Sequence, residues 1–109
     1  MPNSLRPEVI LVRYPFSNLA STKVRPAVVV NTAHASQDVI IVPLTSRITG
    51  LLAGEFVLQH WQQAGLNVPS AIKRGLYTVE QSLILKTVGQ LAPDDEQALE
   101  QSLRDWLDL

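Results

Sequence analysis

One guanidinium and two hydroxyl groups stand beside apolar runs of the sequence, where their chemistry suits the binding of a phosphate. Arg25 precedes Pro26 and the apolar run 27–30. Its planar guanidinium can donate two hydrogen bonds to one phosphate group, and Pro26 stiffens the backbone after it. An arginine where a strand begins also commonly forms a surface salt bridge. The residue type alone therefore leaves both roles open.

Thr45 and Ser46 follow the apolar run 39–42. A hydroxyl group at the end of a strand can donate a hydrogen bond to an oxygen that gains negative charge during a reaction. The same residues are equally typical of an ordinary turn, because Ser and Thr hydroxyls bond to nearby backbone groups. Thr45 is a candidate for catalysis with Ser46 beside it, and a turn is the alternative.

Three further cations and two aromatic rings are candidates for contact with a nucleic acid. Lys23, Arg47 and Lys73 suit backbone phosphates. Tyr14 and Phe16 offer faces on which an unstacked base can rest. Each has an ordinary alternative, since Lys and Arg are usually solvated and Phe16 can pack its own loop against the domain.

The histidines and acidic residues form no recognisable metal or catalytic pattern. His34 and His60 are the two imidazoles, and nothing in their spacing brings them together. Asp38, Glu55 and the histidines have no metal-ligand spacing, and the sequence has no cysteine thiolate. The acidic cluster 94–96 is explained by the start of a helix. We expect no metal and no cofactor.

Length and composition predict a single domain over residues 1–109. Of the 109 residues (12.0 kDa), 46% are hydrophobic and 17% are charged, which suffices for a core. The apolar runs are far shorter than the ~20 residues of a membrane helix. The first residues lack the apolar segment of a secretory signal, and without cysteine there is no disulfide framework. We expect a cytoplasmic protein with no membrane contact.

The net charge of −1 conceals an asymmetry. Residues 1–90 hold eight Lys or Arg against four Asp or Glu, whereas residues 91–109 hold one against six. A mildly basic body suits a modest anionic ligand such as single-stranded RNA, and the pI of about 6.0 argues against massed contacts to duplex phosphates. The acidic end is explained as the solvated face of a helix.

Short β-branched runs bounded by turn residues predict a mainly β fold. Without crossover helices, they imply about five to seven antiparallel strands that curl into a small barrel, because a flat sheet leaves its edges unpaired. The predicted strands cover residues 9–14, 27–31, 39–42, 55–59, 71–73 and 82–88. A polar loop, residues 15–25, joins the first two.

A C-terminal helix is predicted over residues 93–108. Pro93 suits the first helical position, and the acidic residues after it suit the positive end of the helix dipole. One stripe of this helix is predicted to pack on the barrel, formed by Leu99, Leu103, Trp106 and Leu107. The opposite stripe is predicted to face water and contains Glu100, Asp105 and Asp108. A short helical turn is also predicted at residues 60–63, ended by Gly65.

Five motifs in order resemble the MazF/PemK/Kid family of toxins from bacterial toxin–antitoxin pairs. They are Val-Arg-Tyr-Pro-Phe-Ser at 12–17, Lys-Val-Arg-Pro-Ala-Val-Val-Val at 23–30, Val-Pro-Leu-Thr-Ser at 42–46, Ala-Gly-Leu-Asn-Val-Pro-Ser at 64–70 and Val-Gly-Gln-Leu at 88–91. The resemblance covers roughly residues 7–108. Several motifs at family spacing are more specific than an Arg-Pro pair alone.

The resemblance implies a fold, an activity and partners. The fold would be an SH3-like barrel with a C-terminal helix, assembled as a homodimer. The activity would be metal-independent cleavage of single-stranded RNA such as mRNA through attack of the 2′-hydroxyl, and a cognate antitoxin would cover the groove. In this family the arginine at the position of Arg25 is catalytic. The same resemblance favours Thr45 as the second catalytic residue and Lys23 and Lys73 as RNA-binding cations.

The sequence departs from the family where acidic residues are frequent. Its first loop carries Asn18 where relatives often have an acid, and residues 71–79 contain no acid after Lys73. The general base is therefore unassigned. A positioned base contributes about 10²- to 10⁴-fold to a rate, so a slow nuclease is predicted.

Two other functions stay open. A CcdB-like protein on a related barrel poisons DNA gyrase by contact alone, and Trp106–Leu107 resembles the apolar helix tip such a protein uses, although core packing explains the pair more simply. A decayed toxin acting as a non-catalytic binding module also fits the missing acids.

Overall fold

The computed structural model describes residues 6–14, 23–31 and 35–109, and of Tyr14 the backbone alone. Three sequence candidates therefore lie outside the described residues. They are the side chain of Tyr14, and Phe16 and His34. The predicted loop falls largely outside them as well.

Seven strands and one C-terminal helix form the described fold, as the sequence predicts. In chain order they are β1 (Glu8–Tyr14), β2 (Lys23–Val29), β3 (Val39–Thr45), β4 (Phe56–Val57), β5 (Ala71–Ile72), β6 (Tyr77–Val79), β7 (Ile84–Gln90) and α1 (Pro93–Leu107). A 3₁₀ turn at Gln81–Leu83 precedes β7. The predicted mainly β class is confirmed.

The strands pair antiparallel in the order β4-β5-β3-β2-β1-β7. β3 pairs with β2 on one side, while β6 and then β5 share its other side. One edge of β3 thus pairs with two short strands, β6 and β5, and the sheet curls into a barrel-like shape. It does not close, because no ladder joins β7 to β4 in the described part of the chain.

Alternate residues of β1, β2 and β3 fill two separate hydrophobic clusters. Val9, Val28 and Val42 belong to the first cluster, which also contains Leu99 of α1. Ile10 and its neighbours on the other face belong to the second. Because both faces are buried, these strands are nearly continuous apolar runs rather than alternating ones.

Several strand boundaries differ from the prediction. β2 begins at Lys23 rather than at residue 27, so Arg25 and Pro26 lie inside a strand and pair with Val12 and Leu11 of β1. The predicted strand 55–59 shortens to two residues, and residues 82–83 belong to the 3₁₀ turn. β6 is an additional strand. It forms because β3 extends far enough to pair with it.

The helix begins at Pro93 as predicted and ends at Leu107, one residue early, where Asp108 adopts a left-handed conformation with φ 58°. Leu99 is buried, and the indole Nε1 of Trp106 donates to the Ala53 carbonyl oxygen at 3.0 Å. The prediction that Leu107 packs on the barrel is wrong. Its side chain is 48% exposed, because it lies in the last helical turn. Within the described residues no helix is both long and apolar enough to cross a membrane.

The short turn predicted at residues 60–63 is present, although it does not extend into a regular helix. Residues 59–65 form hydrogen-bonded turns, with the Ala64 amide donating to the His60 carbonyl oxygen at 3.2 Å. Gly65 ends this turn with φ +89°. The segment is too short to continue as a helix beyond that left-handed residue.

Candidate active site

An open groove of about 800 Å³ lies between the start of β2, the end of β3, β7 and the segment 65–70. Its polar lining includes side chains from each of these four elements. The lining residues are Leu11, Val24, Arg25, Pro26, Leu44, Thr45, Ser46, Gly65, Leu66, Asn67, Val68, Ser70, Lys86, Thr87 and Val88. Three predicted site residues, Arg25, Thr45 and Ser46, are therefore brought together.

Arg25 presents an exposed guanidinium to this groove. One of its terminal nitrogens donates to the Val24 carbonyl oxygen at 3.3 Å. No carboxylate of the described residues forms an ion pair with it. The surface salt bridge that the sequence left open is thus not formed within the described chain, and the guanidinium is available to an anion.

Thr45 is half-buried at the end of β3. Its Oγ1 accepts a hydrogen bond from the Arg47 amide at 3.1 Å, so the turn expected from the sequence is present. A hydroxyl group has one proton and two acceptor sites. Accepting from Arg47 leaves the Thr45 proton free to donate, and the two proposed roles are compatible.

The strand register places Arg25 and Thr45 at the same end of the β2–β3 ladder. Paired residues run from Val29 opposite Ile41 to Ala27 opposite Pro43. Arg25 and Thr45 each lie two positions beyond this last pair. Both residues therefore reach the groove at the end where this ladder stops.

Cross-strand pairs build the floor of the groove. Leu11 of β1 pairs with Pro26 on one side and with Lys86 on the other. Leu44 of β3 is buried in the first core cluster and contributes to the same surface. The floor is consequently an apolar continuation of the core, and Lys86 adds a cation at its β7 side.

Two glycines fix the wall formed by residues 65–70. A Cβ atom on Gly65 would lie 2.1 Å from the Val88 carbonyl oxygen, and one on Gly89 would lie 2.4 Å from the Ala64 carbonyl oxygen. The turn and β7 therefore approach backbone to backbone, which only glycine permits at both positions. This contact holds the wall directly against β7.

The remaining predicted RNA-binding cations do not line the groove. Lys23 is exposed at the first residue of β2, and Arg47 is exposed after β3. Lys73 follows β5, where its amide donates to the Pro43 carbonyl oxygen at 3.0 Å and its charge acts on Glu55. Their proposed contacts with RNA stay predictions.

A family model for the PemK-like, MazF-like toxin of type II toxin–antitoxin systems matches residues 5–107. The chain belongs to this family. The motif resemblance seen in the sequence is thereby confirmed.

Solved structures of MazF proteins share the fold. A Mycobacterium tuberculosis toxin, MazF-mt6, has a TM-score of 0.74 and 22% identity, covering 94% of this chain and 97% of that one. Deinococcus radiodurans MazF has a TM-score of 0.78 at 17% identity, with 100% of both chains covered. A mycobacterial endoribonuclease in complex with its cognate antitoxin has a TM-score of 0.75 at 16% identity, covering 100% and 97%. No curated protein sequence matches this chain significantly.

The groove of this PemK/MazF family member contains four polar residues that were not selected from the sequence. They are Asn67 and Ser70 on the wall and Lys86 and Thr87 on β7. The sequence shows Lys86 inside a predicted strand, and period-2 alternation could have placed it on one face of that strand. Which face borders the groove depends on pairing with Leu11, and this pairing includes irregular register shifts.

Other polar residues of this family member have structural partners away from the groove. Glu55 accepts hydrogen bonds from the amides of Leu52 and Arg74 at 2.8 and 2.9 Å, and these bonds lower the pKa of its carboxyl group. His60 Nε2 lies 3.6 Å from Asp94 at the start of α1. His60 is not among the described residues that line the groove.

Asp95 has a role that the sequence interpretation missed. It is 2% exposed, and its two carboxylate oxygens accept hydrogen bonds from the amides of Gln59 and His60 at 2.9 and 3.0 Å. The acidic cluster was assigned to helix-start electrostatics alone. These hydrogen bonds also connect α1 to the turn at residues 59–65, which leads into the groove wall.

Proposed function

We propose that this chain is the toxin of a type II toxin–antitoxin pair and acts as a metal-independent endoribonuclease on single-stranded RNA. The observation that carries the proposal is the shared groove of Arg25 and Thr45 in a member of the PemK/MazF family. The groove is open, which suits a strand rather than a small enclosed ligand. Action on mRNA would take place in the cytoplasm.

In the proposed reaction the 2′-oxygen of one nucleotide attacks the adjacent phosphorus. The bond from phosphorus to the 5′-oxygen breaks, giving a 2′,3′-cyclic phosphate and a free 5′-hydroxyl. One proton leaves the 2′-hydroxyl and one reaches the 5′-oxygen. Arg25 holds the non-bridging oxygens as negative charge develops, and Thr45 donates its hydroxyl proton to one of them. Ser46 lies beside Thr45 in the same lining.

The proton-transfer groups of this reaction are unassigned. The groove lining contains no Asp, Glu or His within the described residues. Because a positioned base contributes about 10²- to 10⁴-fold, a lining without one fits the slow nuclease predicted from the sequence. Arg25 and Thr45 then act mainly by electrostatic stabilisation.

Lys86 supplies a second cation for the RNA backbone in this proposal. It lies on β7, separated from β2 by β1, and two interstrand spacings amount to roughly 10 Å. A contact with a phosphate next to the scissile one suits this separation. Leu11 and Pro26, which pair between the strands of Arg25 and Lys86, offer apolar contact to the RNA strand.

The partners follow from the family. One fold neighbour is an endoribonuclease in complex with its cognate antitoxin. We expect this chain likewise to be inhibited by an antitoxin segment that occupies the groove, and to assemble as a homodimer. Sedimentation of the purified chain as a 12 kDa monomer would contradict the dimer.

End analysis of RNA products tests the function. Purified chain free of antitoxin is incubated with single-stranded RNA in EDTA, and 5′-hydroxyl and 2′,3′-cyclic phosphate ends are expected. Intact RNA together with inhibited gyrase supercoiling would favour a gyrase poison, and bound but uncut RNA would favour a decayed toxin. The structure lends the poison no support, because the Trp106 indole is hydrogen-bonded to Ala53 and packs on the core.

A further inference from the structure

The wall of the groove carries an amide side chain that has no partner among the residues that the structure describes. Asn67 is exposed, lines the groove and forms no hydrogen bond within the described part of the chain. An asparagine amide offers a donor beside an acceptor, as the edges of unstacked RNA bases do. Contacts to phosphates carry no sequence information, so base selection requires a group of this kind.

The backbone on both sides of Asn67 is fixed. The Leu66 amide donates to the Trp61 carbonyl oxygen at 3.1 Å. Ser70 is 3% exposed, and its Oγ donates to the Val68 carbonyl oxygen at 3.0 Å. The backbone carbonyl oxygen of Ser70 accepts a hydrogen bond from the Leu58 amide at 2.9 Å. An amide carried on an anchored backbone discriminates between bases better than one on a free loop, because its Cα position is already set before RNA binds.

The positions of the cations in the groove indicate separate paths for the phosphates and for the bases of a bound RNA strand. Both lining cations, Arg25 and Lys86, lie on strands, whereas the wall 65–70 contains no charged residue. Phosphates are therefore attracted to the strands, and the bases are directed to the wall. There Leu66 and Val68, which also line the groove, offer apolar contact on either side of Asn67.

We propose that Asn67 determines the base specificity of cleavage by hydrogen-bonding the edge of one base beside the scissile phosphate. This proposal rests on the proposed endoribonuclease function and names the residue that selects its RNA sites. Asn67→Asp is the informative variant. It keeps the size and turn chemistry of the residue but replaces the amide donor with a second acceptor.

The test maps cut sites and bound sequences in a randomised single-stranded RNA pool for the full-length chain and three variants. The wild type should prefer one base at a fixed position near the cut. Asn67→Ala should reduce that preference by about 5- to 150-fold, the range of a good amide–base pair. Asn67→Asp should move the preference to another base, which a purely structural role would not do.

Lys86→Ala is the matched control, because a lost phosphate contact weakens all sequences alike and lowers the slope of log affinity against log salt by about 1. An unchanged base preference in both Asn67 variants overturns the proposal. If the wild type enriches a sequence without cutting it, the nuclease function fails, and loss of that enrichment in Asn67→Ala still supports the role of Asn67. If it neither binds nor cuts RNA, both proposals fail.

Discussion

Arg25 and Thr45 stand two positions beyond the same strand pair, Ala27–Pro43, and both line one groove. The guanidinium is exposed, and the hydroxyl keeps its proton while accepting from Arg47. A phosphate between them would accept two hydrogen bonds from the Arg25 guanidinium on β2 and one from the neutral Thr45 hydroxyl on β3. This arrangement depends on β2 extending through Arg25.

The hydroxyl of Thr45 is expected to matter for the chemical step. Thr45→Val keeps the shape but removes the donor, so kcat on single-stranded RNA should fall about 10²-fold. Thr45→Ser retains the hydroxyl and should stay within about 10-fold of wild type. Urea unfolding of both variants controls for the lost Arg47 hydrogen bond, which is worth about 1 kcal/mol. A Thr45→Val protein with wild-type kcat would remove Thr45 from the mechanism.

The close approach of the wall to β7 should make Gly65 intolerant of any side chain. Gly65→Ala combines a left-handed φ of +89° with a Cβ 2.1 Å from a carbonyl oxygen, and we expect a loss of about 3 kcal/mol in the free energy of unfolding.

Two other glycines separate the causes of this loss. Gly50 has φ +68° with nothing within 4 Å, so Gly50→Ala should cost only about 1 kcal/mol. Gly89 has the close contact without a left-handed φ and should give an intermediate loss. Equal losses at Gly65 and Gly50, measured by urea denaturation, would show that the backbone contact is unimportant.

The fold class and the placement of Arg25 and Thr45 beside one groove could be predicted from the sequence for identifiable reasons. Long β-branched runs and Pro93 are local signals, and they predict β1 and α1 to within one residue at each end and the start of β3, which continues three residues beyond the predicted end. Arg25 and Thr45 stand in motifs whose residues are adjacent in the chain. Their common groove then requires only that β2 and β3 pair.

Features that depend on distant pairing escape the sequence. Lys86 reaches the groove only because β7 pairs with β1 through register shifts, and Asn67 reaches it only because Gly65 packs on β7. The start of β2 at Lys23 is set by pairing with β1 rather than by local propensity, since Pro26 argues against a strand there. Leu107 shows a different kind of error. Helical periodicity predicts which residues share a face of α1, but it does not show that the side chain in the last turn of that face is exposed.

Asp95 should be a principal anchor of the helix. Asp95→Ala leaves two part-buried backbone amides without acceptors, and we expect a loss of about 2 kcal/mol in the free energy of unfolding. The adjacent Asp94→Ala is the control, since its exposed pair with His60 should contribute less than about 1 kcal/mol. Similar losses for the two variants in thermal or urea unfolding would contradict the anchoring role.

The hydrogen bonds to Glu55 predict a dependence of stability on pH. Amides of Leu52 and Arg74 hold the pKa of this carboxyl group below its ordinary value of 4.5, so the group binds protons more readily in the unfolded chain. Its stabilisation is full above the unfolded pKa and is lost as the pH falls through the folded pKa. The stability difference between wild type and Glu55→Gln should therefore be largest near neutrality and shrink below pH 4.5. A difference that grows on acidification would contradict the assignment.

The cleavage rate of the Arg25→Ala variant tests the account most directly. Single-turnover cleavage of single-stranded RNA in EDTA is compared for wild type, Arg25→Ala and His60→Ala, with unfolding by urea as the check on folding. We predict a rate about 10²- to 10³-fold lower for Arg25→Ala, the effect of removing one oxyanion donor, and an unchanged rate for His60→Ala. A folded Arg25→Ala protein that cuts RNA at the wild-type rate would contradict the central claim.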